Sequence, residues 1–170
     1  MIPRVARRLA YDSLSLQRAR PWHMDGKSNL AKDNAVNLSA LFSGRRVALF
    51  GVPAPFTGTC TLAHVPPYAA AADEFLAVVD ELVCFSVADP YAHHNWAKAM
   101  GVDSSKLSFL ADDGSVTEAW ELSNDYSAAS LGVRSKRFSM LVEDGVVKAF
   151  QIVEEAEKDA GVLLAQAKKR

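Results

Sequence analysis

A chain of 170 residues, 49% hydrophobic and 23% charged, holds enough apolar material for one ordinary globular core and lacks the composition of a disordered or fibrous protein. Nineteen basic residues against 20 acidic ones leave a net charge of -1, which excludes a global field that recruits nucleic acid or anionic lipid. The two cysteines, Cys60 and Cys84, are too few and too far apart for a disulfide-stapled secreted scaffold and fit a reducing compartment.

Residues 1–24 carry five arginines and a single acid, Asp12. That bias belongs to a mitochondrial-type targeting peptide. The same segment also supplies a plausible first strand, Ser13 to Gln17, and both readings stand. Asp25 to Asn34 is polar and turn-rich, with little periodicity. The chain therefore divides into an amino-terminal segment, residues 1–36, and one domain over residues 37–170.

From Asn37 the pattern sharpens. Leu38 to Phe42 reads as a short helical turn, and Arg46 to Gly51 is a continuous apolar run of the kind a buried strand needs. The strongly apolar stretches, such as Arg46 to Phe56, fall well below the roughly 20 residues of a membrane-spanning helix, so no membrane is expected. A loop holding Pro53, Pro55 and Gly58 follows, then a helix from Cys60 to Val79 with a break at Pro66-Pro67. Leu82 to Val87 is a second buried strand, Pro90 opens a helix through Met100, Leu107 to Leu110 is a short strand, and Ser115 to Leu122 a helix. Arg137 to Glu143 and Val146 to Ile152 flank Asp144-Gly145, a strong hairpin signal. Glu154 to Lys168 closes the chain as a helix, acidic at its start and basic at its end as the macrodipole favours. Alternating strands and helices that end in a hairpin and a helix imply an α/β, thioredoxin-like fold: a central mixed β-sheet flanked by helices.

Cys60 is the residue on which chemistry is expected to rest. A thiol in the first turn of a helix that follows a buried strand sits where backbone N–H groups and the positive helix end favour a thiolate. The competing reading is a small buried hydrophobe, the commonest fate of a free cysteine. Thr57, three residues upstream, has a hydroxyl suited to the sulfur or to an oxygen bound beside it, and equally suited to capping the helix. Pro53 restricts the loop and walls it from water. Arg137 heads a strand that continues through Phe138 and Met140, a costly place unless the guanidinium faces an anion such as the Cys60 thiolate; the alternative is an edge arginine in solvent.

The segment Gly51 to Tyr68, GVPAPFTGTCTLAHVPPY, resembles the active-site motif of the peroxiredoxins: a proline, three residues, Thr or Ser, two residues, then a cysteine. Here the motif is Pro53, Thr57 and Cys60. The resemblance continues through Ser86 to Pro90, Trp96 to Lys98, Leu131 to Met140 and Glu143 to Ala149, covers about Asn37 to Glu155, and is similar to the type II, or peroxiredoxin five, branch. It implies a thioredoxin-like fold, a hydroperoxide substrate, Cys60 as the peroxidatic cysteine, Thr57 as its hydroxyl partner, Pro53 as the pocket shield, Arg137 as the activating guanidinium, and a homodimer. It also departs from the branch in three ways: Gly58 stands where a proline is usual, no cysteine occurs between Phe150 and Arg170, and the region before Asn37 matches poorly.

Cysteines near the place of Cys84 resolve the oxidised sulfur in some relatives, but Val83-Cys84-Phe85 reads as fully buried, an inert core thiol. The expectation is a one-cysteine cycle through a Cys60 sulfenic acid, regenerated by an external thiol: glutathione, glutaredoxin or a thioredoxin-type protein. Apart from the thiol no cofactor is implied.

Cys60 and His64 share a helical face, a spacing open to a metal or a Cys-His nucleophile, but a zinc site wants about four ligands and His23, His93 and His94 lack ligand spacing. His64 is expected near the pocket, and His93 and His94 on a solvated helix face. A cysteine hydrolase needs an oriented histidine base and an oxyanion hole that the pattern does not supply. A non-enzymatic redox sensor using the same Cys60 remains the alternative to a peroxidase. Trp96 and Trp120 read as core residues, and no phosphate loop or basic-aromatic stripe points to nucleotide or nucleic acid.

Overall fold

Strand periodicity divides the interior into two layers. In a β-strand successive side chains point to opposite faces, and the central strands obey this rule strictly. Ala48, Phe50, Leu82, Cys84 and Phe109 belong to one buried cluster, while Val47, Leu49, Val83, Phe85 and Leu110 belong to the other. Because both faces are covered, these strands are apolar without interruption, which is what made them legible in the sequence.

The computed structural model describes residues 5–9, 11 and 13–169. In chain order the elements are β1 (Ser15–Arg18), α1 (Ala31–Asn34), β2 (Ala35–Asn37), α2 (Leu38–Phe42) and β3 (Arg46–Gly51). A π-helical turn (Cys60–His64) then leads into α3 (Val65–Ala70) and α4 (Ala72–Leu76), followed by β4 (Glu81–Val87), α5 (Pro90–Met100), β5 (Ser108–Asp112) and α6 (Ser115–Ala119). A small β6 (Ser123–Asp125) and β7 (Val133–Ser135) precede β8 (Phe138–Glu143), β9 (Val146–Ile152) and α7 (Ala156–Ala167).

The main sheet has seven strands in the order β2-β1-β5-β4-β3-β8-β9. β3, β4 and β5 are parallel neighbours, whereas β1 and β8 join them antiparallel, so the sheet is mixed. Helices α3, α4, α5 and α7 cover the face that carries Phe50 and Cys84, and α2 and α6 cover the other. This is the thioredoxin-like architecture. The Asp144-Gly145 turn has positive φ at both residues, 46° and 73°, the mirror-image turn that matches strand twist. Among the described residues no helix is long and apolar enough to cross a membrane.

Several expectations are corrected. The first strand begins at Ser15 rather than Ser13, and it is joined by β2, which the aperiodic stretch before Asn37 concealed. The helix after Cys60 does not break at Pro66-Pro67. Two consecutive prolines remove two N–H donors, and the chain absorbs the loss by widening the turn just ahead of them, with Val65 N–H donating to the Cys60 carbonyl; the prolines then begin α3. The interruption falls at Ala71 instead. His93 is not on a solvated face: it is fully buried, its Nε2 2.5 Å from Ser86 Oγ.

Part of the basic amino-terminal segment is folded onto β9. Ala6 N–H donates to the Val147 carbonyl, Val147 N–H to Arg7, and Leu9 N–H to Gly145, while Leu9 and Tyr11 are buried. Residues 1–4 lie outside the described residues.

Candidate active site

β3 delivers the chain to the site and Gly51 ends it. A Cβ at Gly51 would lie 2.0 Å from the Phe138 ring, which stands opposite in register on β8, so glycine is what lets the two strands approach here. The loop after it buries Pro53 and Ala54, turns through Phe56 at a φ of 61°, and enters a helix at Gly58. Cys60 therefore lies in the first helical turn, as expected. Phe56, Gly58, Thr59 and Leu62 around it are exposed, yet Cys60 itself is only 1% exposed.

Arg137 immediately precedes β8 and reaches Cys60 across the sheet end. Its Nη2 donates to Cys60 Sγ at 3.3 Å, and its Nη1 lies 3.0 Å from His64 Nδ1. Residues 77 positions apart in the chain thus meet, and the edge-arginine reading is excluded by the contact. Thr57 lies one turn ahead of the cysteine. Its hydroxyl donates to the Ala54 carbonyl at 2.9 Å, so that proton braces the loop rather than capping the helix, and the hydroxyl lone pairs are left as acceptors. Thr61, on the same turn as Cys60, accepts from the Trp96 indole at 3.1 Å, which ties the turn to α5.

Behind the sulfur is a buried polar network that sequence reasoning missed except for His64. His64 Nε2 lies 2.8 Å from Asp159 Oδ2, and the same oxygen accepts from the Tyr68 hydroxyl at 2.6 Å. Asp159 Oδ1 accepts from Ser139 at 2.7 Å and from Gln151 at 2.6 Å. Burial alone would raise the Asp159 carboxyl, but the hydrogen bonds from His64, Tyr68 and Ser139 hold it below the ordinary value. Burial lowers His64 despite Asp159, and burial, then Asp159, pushes Tyr68 well up. One signal was available. Ala156, Asp159, Ala160, Leu163, Leu164 and Ala167 recur at helical spacing as the buried face of α7, so Asp159 occupies a core position.

Cys84 lies in β4, fully buried and paired in register with Phe50. Burial, and then the nearby Cys60 sulfur, push its thiol well above the ordinary value, as suits an inert core thiol. Both ring nitrogens of His64 are engaged by Arg137 and Asp159, which leaves none for a metal beside Cys60. Among the described residues no three His, Cys, Asp or Glu side chains gather as a metal set. Trp96 and Trp120 are fully buried core residues.

The Redoxin family model matches residues 23–164. The mitochondrial peroxiredoxin-2F of Arabidopsis thaliana is 42% identical over 159 residues, 92% of this chain and 77% of that protein; its namesake in Oryza sativa subsp. japonica is 41% identical over 88% of this chain and 74% of its own. A crystal structure of reduced Prx3 in complex with H2O2 from Vibrio vulnificus superposes with a TM-score of 0.78 at 30% identity, over 98% of this chain and 99% of that one. Peroxiredoxin 5 from Alvinella pompejana, 22% identical, shares the fold at a TM-score of 0.78 over 98% and 99% of the two chains. With the cysteine-arginine contact at the end of its sheet, this chain belongs to the Redoxin family as a peroxiredoxin of the type II branch, a thiol peroxidase.

Proposed function

We propose that the chain reduces hydrogen peroxide and small organic hydroperoxides at Cys60 and is regenerated by an external thiol, either glutathione with glutaredoxin or a thioredoxin-type protein. The observation that carries this reading is the donation from Arg137 Nη2 to Cys60 Sγ at 3.3 Å. A guanidinium is a permanent cation with donors only, so a thiolate gains from facing it where a neutral thiol gains little.

In the reaction the Cys60 thiolate attacks one peroxide oxygen, a S–O bond forms as the O–O bond breaks, and the second oxygen leaves as hydroxide or alkoxide and takes up a proton. Cys60 is oxidised to a sulfenic acid and the peroxide is reduced. Thr57, with lone pairs free, accepts from the incoming hydroperoxide, and the Arg137 guanidinium stabilises charge as it develops on the leaving oxygen. Pro53 closes the loop side of the pocket. A first external thiol condenses with the sulfenic acid, releasing water and leaving a mixed disulfide; a second thiol then frees Cys60 as the external disulfide forms. Cys84 takes no part, because its side chain is fully buried in the core between the sheet and its helices.

The exposed Phe56 and Leu62 beside the site favour a homodimer that covers them, which sedimentation equilibrium tests. Residence in the mitochondrion is supported by the two mitochondrial relatives. The deciding experiment is peroxide consumption with added thiol, together with the intact mass after one equivalent of peroxide. Sustained turnover, one added oxygen on Cys60 and complete loss in Cys60→Ser are expected. A single stoichiometric oxidation without turnover would make the protein a redox sensor, and a Cys60-Cys84 disulfide would overturn the one-cysteine cycle.

A further inference from the structure

The contacts behind Cys60 form a continuous line from sulfur to carboxylate: Cys60 Sγ, Arg137, His64, Asp159, at 3.3, 3.0 and 2.8 Å. Their chemistry admits one arrangement of protons. A guanidinium only donates, so the His64 Nδ1 that faces Arg137 must be the bare ring nitrogen. The single ring proton then sits on Nε2 and is donated to Asp159. A tautomer with the proton on Nδ1 would set two N–H groups against each other and drive the guanidinium off.

Asp159 is 2% exposed, and among the described residues no lysine or arginine touches it; what replaces its water is four donors from four different elements, His64 in the π-helical turn, Tyr68 in α3, Ser139 in β8 and Gln151 in β9. A buried carboxylate is expensive unless every lone pair is used, and this one is used fully. Among the described residues the titratable and charged groups against His64 are Asp159, Tyr68 and Arg137, with Cys60 and Cys84 beyond Arg137. Of these, Tyr68 and Cys84 are held protonated by burial across the neutral range.

We propose that Asp159 is a positioning residue for the peroxidase step: it locks His64 in the Nε2–H tautomer, so that His64 Nδ1 holds one arm of Arg137 while the other arm stays on Cys60. This rests on the reading of Cys60 as the reacting sulfur. Asp159 touches neither sulfur nor peroxide; it acts through two intervening side chains.

The test uses Asp159→Asn in the full chain, with two readouts: the second-order rate with hydrogen peroxide, and the pH dependence of the Cys60 thiolate ultraviolet absorbance. By analogy with residues that orient a functional histidine from behind, the rate is expected to fall about 10- to 100-fold, with the thiol titration displaced to higher pH. In an Arg137→Leu background the same substitution should cost less than about twofold more, because residues acting as a unit are not additive. A wild-type rate and titration in Asp159→Asn, or a full multiplicative loss on top of Arg137→Leu, overturns the proposal, since a merely structural role would add. Should Asp159→Asn fail to fold, His64→Phe takes its place, with the same loss and the same silence beside Arg137→Leu expected, and wild-type behaviour fatal. If the wild-type protein consumes no peroxide, the enzymatic reading falls, while the thiolate titration still reports separately on whether Asp159 governs the Arg137-Cys60 contact.

Discussion

At the scale of single residues, the proposed reaction turns on the Arg137-Cys60 contact. A hydrogen bond to a charged group contributes about 1.5–3 kcal/mol, or roughly 10- to 100-fold in rate if it is made chiefly to the thiolate and the transition state. Arg137→Leu is therefore expected to slow peroxide attack by about that factor; stopped-flow kinetics with hydrogen peroxide checks it. His93 carries a different consequence. Burial between α5 and β4 lowers it to about 4, against 6.5 in an open chain. Between those values the unfolded chain binds a proton that the native state refuses, so stability is complete above pH 6.5 and falls as pH drops toward 4, by about 3 kcal/mol. Denaturant midpoints measured through that window should fall with acid, and His93→Gln should flatten the slope by one proton.

At the scale of elements, two glycines flank the site with opposite requirements. Gly51 lies under the Phe138 ring, itself fully buried and packed edge-on against Phe85. Gly51→Ala should cost about 2 kcal/mol or more through overpacking, and should reduce peroxidase activity as well, because Phe138 adjoins Arg137. Gly58 has no left-handed φ, and a Cβ there meets nothing within 4 Å. It stands at the first helical position, where proline also fits, so its departure from the usual family proline is no steric or conformational demand of this chain. Gly58→Ala is expected to raise the unfolding midpoint, by about 0.5–1 kcal/mol, with peroxide turnover retained. The π-helical turn that follows them is the local solution to Pro66-Pro67, and it begins at the cysteine itself. The wide turn sets both Cys60 and His64 toward Arg137, whereas the adjacent Leu62 remains 80% exposed.

At the scale of the whole molecule, the site exists because β3, β8, β9 and α7 converge. Cys60 arrives on the helix after β3, Arg137 at the start of β8, Gln151 from β9 and Asp159 from α7. That convergence leaves Cys60 only 1% exposed although Phe56, Gly58, Thr59 and Leu62 beside it are open to solvent. The amino-terminal segment is part of this assembly too. Leu9 and Tyr11 are 6% and 7% exposed, and Tyr11 fills the space over Gly145. Burying two such side chains is worth about 3–6 kcal/mol, so a chain starting at Ser13 should unfold at distinctly lower denaturant, measured by circular dichroism.

Much of this protein was legible from its residues alone. Uninterrupted apolar runs at Arg46 to Gly51 and Leu82 to Val87 announced strands covered on both faces, Asp144-Gly145 announced its hairpin, and Pro53, Thr57 and Cys60 announced a motif, because each signal is local: period, turn chemistry and spacing act within a few residues. Arg137 could be named but not placed, since whether an arginine faces solvent or a sulfur is settled by strand pairing far along the chain. The π-helical turn, the burial of His93 and the path from Asp159 through His64 to Arg137 belong to tertiary structure. A buried carboxylate is tolerable only when donors from several elements surround it, and no stretch of sequence contains that arrangement until the sheet and α7 have brought them together.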